Sequence, residues 1–388
     1  MPDLRVLVVD DSVAVRRALS EAIEREPGLS MCGAAPNGAL GLELVERSQP
    51  DVIVLDLAMP VLDGLDFLTR LRPQHPRLPV LVFSGTAGHA NEATLEALWR
   101  GASDYVLKPQ GLSPEGLDAF LRAEVFPRLR AIARVQPERP ATGAGGAHGA
   151  SPRGTTPGTA LEPHGPRATT LETQGSSVSK AGREPVPSVL VVGASTGGPR
   201  ALAAALGELP ADFPLPVAVV QHVPAEMAEF LAGGLSANCR MRVRLADDGT
   251  SVEPGVVWVA PGGAHLTIAG EGARACFRLD HGPEEHGCRP AVDPLFRSAA
   301  RVFGAGTLAL VLTGMGQDGV AGARAVHAAG GRVWVQDEAS SVVWGMPGAI
   351  ARAGLAHAVV PLSQLGGELL ARAGRREGSG PGRRAEAA

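Results

Sequence analysis

The chain has 388 residues, enough for about two domains and connecting material. Its 45% hydrophobic and 20% charged content is that of a globular protein, while 50 Gly and 32 Pro point to an additional segment without a core. A formal net charge of -4 gives no global footprint for nucleic acid, and the four cysteines, with no C-x-x-C pair, are too sparse for a disulfide scaffold.

The chain opens MPDLRVLVVDDS, where carboxylates directly follow a short apolar run. Neither a signal peptide nor a membrane-spanning stretch is expected there, and a reducing, cytoplasmic setting fits the cysteine usage. From Arg5 to about Arg134 the short β-rich runs RVLVVD, SMCGAAP, DVIVLD, PVLVFS and DYVLK are separated by amphipathic segments. This alternation predicts an α/β domain over 1–134 with a five-stranded parallel (βα)5 sheet, its apolar runs covered by helices on both faces.

Residues 135–187 read as a Pro/Gly/Thr-rich linker, in which Leu161, Leu171, Val178 and Val186 are the only sizeable apolar side chains. A second α/β domain, doubly wound and mainly parallel, is expected over 188–375, before a polar tail at 376–388. Its predicted strands are SVLVVG, PVAVVQ, TLALVL and RVWVQ, with extended segments near Val256 and Arg274. Helices are predicted over Ala201 to Leu206, around Met227 to Leu235 and Leu295 to Val302, and from Val320 to Ala329.

In the first domain Asp10 and Asp11 fall at the end of strand one, Asp56 at the end of strand three, Ser84 of strand four and Lys108 of strand five. The carboxyl ends of parallel strands open onto one crevice, so separate strands deliver these groups to one pocket. Three carboxylates and a lysine suit Mg²⁺ and a phosphoryl group, with Asp56 as nucleophile and Ser84 and Lys108 as phosphoryl contacts. Single strand-end aspartates also cap helices, but the full set carries D-D-S, D-L-A-M-P-V-L-D-G and K-P in order. That set resembles the response-regulator receiver family over roughly residues 4 to 125. The resemblance implies Asp56 as phosphoacceptor, Asp10 and Asp11 as metal-site acids, Ser84 and Lys108 as phosphoryl contacts, and a histidine kinase as donor; independently of it, Tyr105 is expected to change rotamer as those loops move.

In the second domain Gly193-Ala194-Ser195-Thr196-Gly197-Gly198 places a serine on a strand-to-helix turn. The turn alone suits a nucleophile and a phosphate cradle equally. His222 ends the next strand and Asp318 follows TLALVL, so a serine, a base and an orienting acid occupy three strand ends. His265, His281, His286 and His327 lack such positions and are expected at the surface; a capping role for Asp318 and a packing role for His222 are the alternatives.

The motifs VGASTGGP, VVQHVP, LTGMGQDG and QDEASSVVWGMP resemble the catalytic domain of the chemotaxis protein-glutamate methylesterase family over about residues 188 to 365. The resemblance implies Ser195 as nucleophile, His222 as base, Asp318 as orienting acid, and backbone N–H groups of Thr196 and Met315 as oxyanion donors. It further implies hydrolysis of glutamate methyl esters on cytoplasmic chemoreceptor helices, deamidation of selected glutamines, and a chemotaxis-type histidine kinase as partner. No cofactor is expected for the esterase half, no nucleic acid as partner and no direct membrane insertion. Cys288 and Ala291 stand where the family often has His and Ser, and Cys288 is expected to be a small packed residue. A nucleotide-binding output, a noncatalytic module and a DNA-binding output are the rival readings.

Overall fold

The computed structural model describes residues 2–85, 90–111, 113–133 and 186–374. Nearly all of the linker expected over 135–187, and the tail at 376–388, lie outside the described residues.

In the N-terminal region the five expected runs form β1 (Leu4–Val9), β2 (Leu29–Ala35), β3 (Val52–Leu55), β4 (Val80–Ser84) and β5 (Asp104–Leu107). All pair in parallel in the order β2-β1-β3-β4-β5, which leaves β5 at an edge, bonded to β4 alone. The intervening helices start where short polar side chains satisfy free N–H groups. Ser12 accepts from Val15, Asn37 from Leu40, Asp63 from Asp66 and Ser113 from Gly116. Alternate residues of β1 serve opposite faces: Leu7 and Val9 pack with Phe67 and Leu68, and Val6 and Val8 with Leu19 and Ile23.

The C-terminal region adds β6 (Val189–Ala194), β7 (Val217–Gln221), β8 (Arg242–Leu245), β9 (Val256–Val259), β10 (His265–Ala269) and β11 (Cys276–Asp280). Then come β12 (Thr307–Val311), β13 (Arg332–Gln336) and β14 (Ala358–Val360). Seven of these make a parallel sheet in the order β14-β13-β12-β6-β7-β9-β8, while β10 and β11 form a separate antiparallel pair. Leu190 and Val192 of β6 face the helices Gly198–Gly207 and Ala228–Asn238, whereas Val189 and Val191 face Val292–Phe303 and Val320–Ala328. The sheet is therefore doubly covered, which is why its central strands read as unbroken apolar runs.

Two expected elements have sharper bounds. The extended segment near Arg274 is β11, which begins at Cys276 after a 3-10 turn, Gly272–Arg274, that reverses the chain to bring β11 back against β10. The helix expected around Met227 to Leu235 runs Ala228–Asn238 after a 3-10 turn over Ala225–Met227.

The two regions share one apolar core. Leu95 and Leu98 of the helix Ala90–Trp99 belong to the same cluster as Leu231 and Leu235, and Trp99 lies directly on Gly234. On the other side Val343 packs among Leu121, Val125 and Phe126.

Gly64 opens the helix Gly64–Leu71 against the backbone of the Asp56 loop: a Cβ there would fall 2.4 Å from the Asp56 carbonyl oxygen. Backbone cannot step aside as a flexible side chain does, so Gly64→Ala is expected to destabilise the N-terminal region by about 1–3 kcal/mol. Urea unfolding would register this as a lower midpoint at constant slope; an unchanged midpoint would mean that the loop gives way freely.

Candidate active site

Both sheets present their working residues at the carboxyl ends of strands, where the strand order reverses direction. In the N-terminal sheet the reversal lies between β1 and β3. Asp10 and Asp11 follow β1 and Asp56 follows β3, with one oxygen from each carboxylate lying within 4.8 Å of the others. Lys108 Nζ, just past β5, stands 2.8 Å from Asp10 Oδ2 and 3.0 Å from Asp56 Oδ1. Burial pushes the Asp56 carboxyl above its ordinary range; Lys108 opposes that shift and Asp10 adds to it. Ser84 ends β4 as a buried residue, and its carbonyl oxygen accepts from the Lys108 backbone N–H at 2.6 Å.

Asp10 Oδ2 is buried and receives no well-directed hydrogen bond despite the nearby ammonium. An orphaned carboxylate oxygen among three convergent carboxylates fits a hard divalent cation such as Mg²⁺. Asp10, Asp11 and Asp56 would hold it, and when bound it supplies neutralisation of crowded negative charge.

In the C-terminal sheet β6, β7 and the loop after β12 converge at the second reversal. Ser195 Oγ lies 3.1 Å from His222 Nδ1, and His222 Nε2 lies 2.8 Å from Asp318 Oδ2. The structure thus brings together three residues that are 27 and 96 positions apart in sequence. Asp318 is buried and accepts the backbone N–H groups of Val292, Asp293 and Gly319. Burial works against its charge, but the bonds to His222 and the backbone prevail and hold the carboxyl below its usual range. Its role is therefore not that of a cap: Gly319 occupies the cap position of the helix Val320–Ala328.

The Ser195 turn owes its shape to bonds from neighbouring strands. Ser195 N–H donates to the Thr313 carbonyl at 3.0 Å, Gly198 N–H to the Ser195 carbonyl at 2.7 Å, and Gly197 adopts φ +76°. A phosphate cradle needs those N–H groups free, so the turn suits a nucleophile better than a nucleotide. Among the described residues, the N–H groups of Thr196 and Met315 make no hydrogen bond.

Some of the surrounding groups escaped the sequence reading. Gln221 Nε2 donates to the carbonyls of Ser195 and His222 at 2.9 and 3.2 Å, a role signalled only by its place beside His222. His286 donates toward Asp293 Oδ2 at 2.9 Å, next to the Asp293 N–H that supports Asp318. His265, expected at the surface, is buried: its Nε2 faces the Pro283 carbonyl and its Nδ1 accepts from Ala291 N–H, so it fastens a loop. His281, His286 and His327 are exposed as expected.

A cleft of about 630 Å³ opens beside Ser195, lined by His222, Cys288 and Arg289 on one side and by Asp104, Tyr105 and Arg128 on the other. Tyr105 is half-buried in this arrangement, and desolvation pushes its hydroxyl up. Thr196 Oγ donates to Asp104 Oδ2 at 2.7 Å, a bond between the two regions that no local sequence signal announces.

Burial pulls the His222 imidazole down, but Asp318 and the adjacent Cys288 side chain outweigh it and push the ring to about 9. In an NMR pH titration the His222 ring is expected to change charge well above the ordinary 6.5 of histidine, near 9, and Cys288→Ala to move that point downward. A wild-type ring that titrates at or below 6.5 would contradict this account.

Residues 190–369 match the family model described as CheB methylesterase, and residues 6–118 match that of the response regulator receiver domain. A protein of Trichodesmium erythraeum named protein-glutamate methylesterase/protein-glutamine glutaminase is 37% identical over 96% of this chain and 100% of its own length. A protein of the same name from a Nocardioides species is 40% identical over 98% of each chain. The crystal structure of the Thermotoga maritima CheB methylesterase catalytic domain is 38% identical, with a TM-score of 0.47, covering 48% of this chain and 98% of that one. On the relatives' near-complete coverage, the chain belongs to the protein-glutamate methylesterase/protein-glutamine glutaminase family and joins a response-regulator receiver domain to a CheB methylesterase domain.

Proposed function

We propose that this chain is a phosphorylation-activated serine hydrolase that removes methyl groups from glutamate γ-esters on chemoreceptors and deamidates selected receptor glutamines. The observation that carries the reading is the unbroken path Ser195 Oγ, His222, Asp318, with separations of 3.1 and 2.8 Å.

Ser195 Oγ attacks the γ-carbonyl carbon while Nδ1 of the uncharged His222 ring takes its proton, the uncharged fraction growing as pH rises toward about 9. Asp318 keeps the other ring nitrogen protonated and stabilises the imidazolium that forms. The Thr196 and Met315 N–H groups receive the oxyanion. As the tetrahedral intermediate collapses, His222 returns the proton to the departing methoxide, which leaves as methanol. Water then attacks the acyl-enzyme as His222 takes its proton; on collapse His222 gives that proton to the departing Ser195 Oγ, and the new glutamate carboxyl ionises to the carboxylate. With glutamine the same steps expel ammonia.

The receiver covers residues 1–134 in this reading and the esterase 188–375. Asp56 accepts the phosphoryl group from a chemotaxis-type histidine kinase at a Mg²⁺ site formed with Asp10 and Asp11, and Ser84 and Lys108 contact the bound group. Until then the receiver occupies the cleft through Asp104 and Tyr105. No helix among the described residues is long and apolar enough to cross a membrane. The proposed site of action is the cytoplasm, on the cytoplasmic helices of methylated receptors.

Methanol release from methylated receptor tests the reading directly. Ser195→Ala is expected to abolish it, and Asp318→Asn to lower it by on the order of 10⁴-fold, since the wrong tautomer of His222 is then favoured. A phosphodonor with Mg²⁺ is expected to raise the wild-type rate but not that of Asp56→Asn. Release that survives in Ser195→Ala removes the proposed nucleophile.

A further inference from the structure

Thr196 is adjacent to the proposed nucleophile, and its hydroxyl is claimed by a carboxylate of the receiver rather than of the esterase. Asp104 opens β5, is buried, and accepts from Thr196 Oγ at 2.7 Å. Arg128, on the receiver's own terminal helix, stands 3.6 Å from Asp104 and is shared with Glu124 at 2.6 Å.

Two roles fit such a bond: support of the Ser195 turn, or attachment of the receiver. The esterase supports the turn by itself. Thr313 Oγ donates to the Thr196 carbonyl at 2.9 Å, Gln221 Nε2 donates to the Ser195 carbonyl at 2.9 Å, and Ser195 N–H donates to the Thr313 carbonyl. Asp104 adds nothing that the turn lacks. For the docked receiver the bond matters, because a carboxylate taken out of water must find donors, and Thr196 is the one that the esterase provides.

We propose that Asp104 is the latch of the resting enzyme: it captures the Thr196 hydroxyl, and β5 carries the phosphorylation state of Asp56 to that bond. β5 spans only Asp104–Leu107, and Lys108, which follows at once, is the residue that bridges Asp10 and Asp56. A phosphoryl group on Asp56 offers Lys108 a new anionic partner, and any shift of Lys108 is passed along four residues of extended backbone to Asp104. Inhibition then works through the hold of the receiver over the cleft, and breaking this bond opens access to Ser195.

This inference rests on the proposed esterase reading, and two readouts keep them apart. Full-length wild type, Asp104→Ala and Asp104→Asn are compared with and without beryllofluoride and Mg²⁺. One readout is methanol release from methylated receptor, and the other is the labelling rate of Ser195 by a small fluorophosphonate. Without beryllofluoride, Asp104→Ala is expected to raise both rates about tenfold, the effect of losing a hydrogen bond to a charged group. Asp104→Asn, which keeps an acceptor, is expected to give a smaller rise of the same sign, and all three proteins to converge with beryllofluoride.

If Asp104→Ala leaves the unstimulated rates at wild-type values while beryllofluoride still raises the wild-type rates, the latch is wrong and the esterase reading stands. If wild-type Ser195 is labelled but releases no methanol, the substrate reading fails and labelling alone judges the latch. A wild-type labelling rate that beryllofluoride does not change overturns the latch. Phosphate uptake by Asp56 from acetyl phosphate checks that each variant retains a folded receiver; where Asp104→Ala does not, the isosteric Asp104→Asn decides by the sign of its change.

Discussion

A charged carboxylate buried in a protein has to be met by donors, and the active edge of the second sheet is organised around that requirement at Asp318. Three backbone N–H groups and one imidazole nitrogen converge on its two oxygens. The backbone donors come from the start of the helix Val292–Phe303 and from Gly319, so the two helices covering one face of the sheet are tied to the same anion. His222 inherits its orientation from this arrangement, and Ser195 in turn inherits a base that faces it. Loss of Asp318 would strand the backbone donors as well as the imidazole.

The legibility of this site in the sequence follows from its construction. Ser195, His222, Asp318, Asp10, Asp11, Asp56 and Lys108 all stand at or just past the ends of apolar runs, and in a parallel sheet one end of every strand opens on the same crevice. Apolar periodicity gives the strand ends, and residue chemistry does the rest. The groups missed are those whose partners are remote and whose local context is ordinary. Asp104 sits at the beginning of a strand, the end that normally carries no chemistry, and matters only because a second domain approaches it there. His265 lies at the start of an antiparallel pair outside the main sheet and was expected at the surface, yet its two ring nitrogens are consumed by a loop carbonyl and a loop N–H.

The two regions meet on polar and apolar terms that have different consequences. Around Leu95, Leu98 and Trp99 the contact is apolar and continuous with the core, giving adhesion without much geometric precision. Around Asp104, Arg128 and Thr196 it is polar, directional and buried, giving geometry at the cost of desolvating a carboxylate. Contacts of the first kind tolerate sliding; those of the second are either made or broken. Leu98 of the apolar contact lines the same cleft as Asp104 and Thr196, so a small displacement can break the directional bond beside Ser195 while the apolar contact keeps the domains associated.

The position of β5 at the rim of its sheet bears on how fast such a displacement can be. A strand flanked on both sides would have to slip against two ladders at once, whereas β5, among the described residues, shares a backbone ladder with β4 alone. Its movement is an elastic adjustment of one ladder, on the scale of loop motions rather than of unfolding. The tempo of adaptation would then be set by the chemistry at its ends, arrival and loss of the phosphoryl group and turnover of the ester, with the strand between them acting as a nearly instantaneous mechanical link.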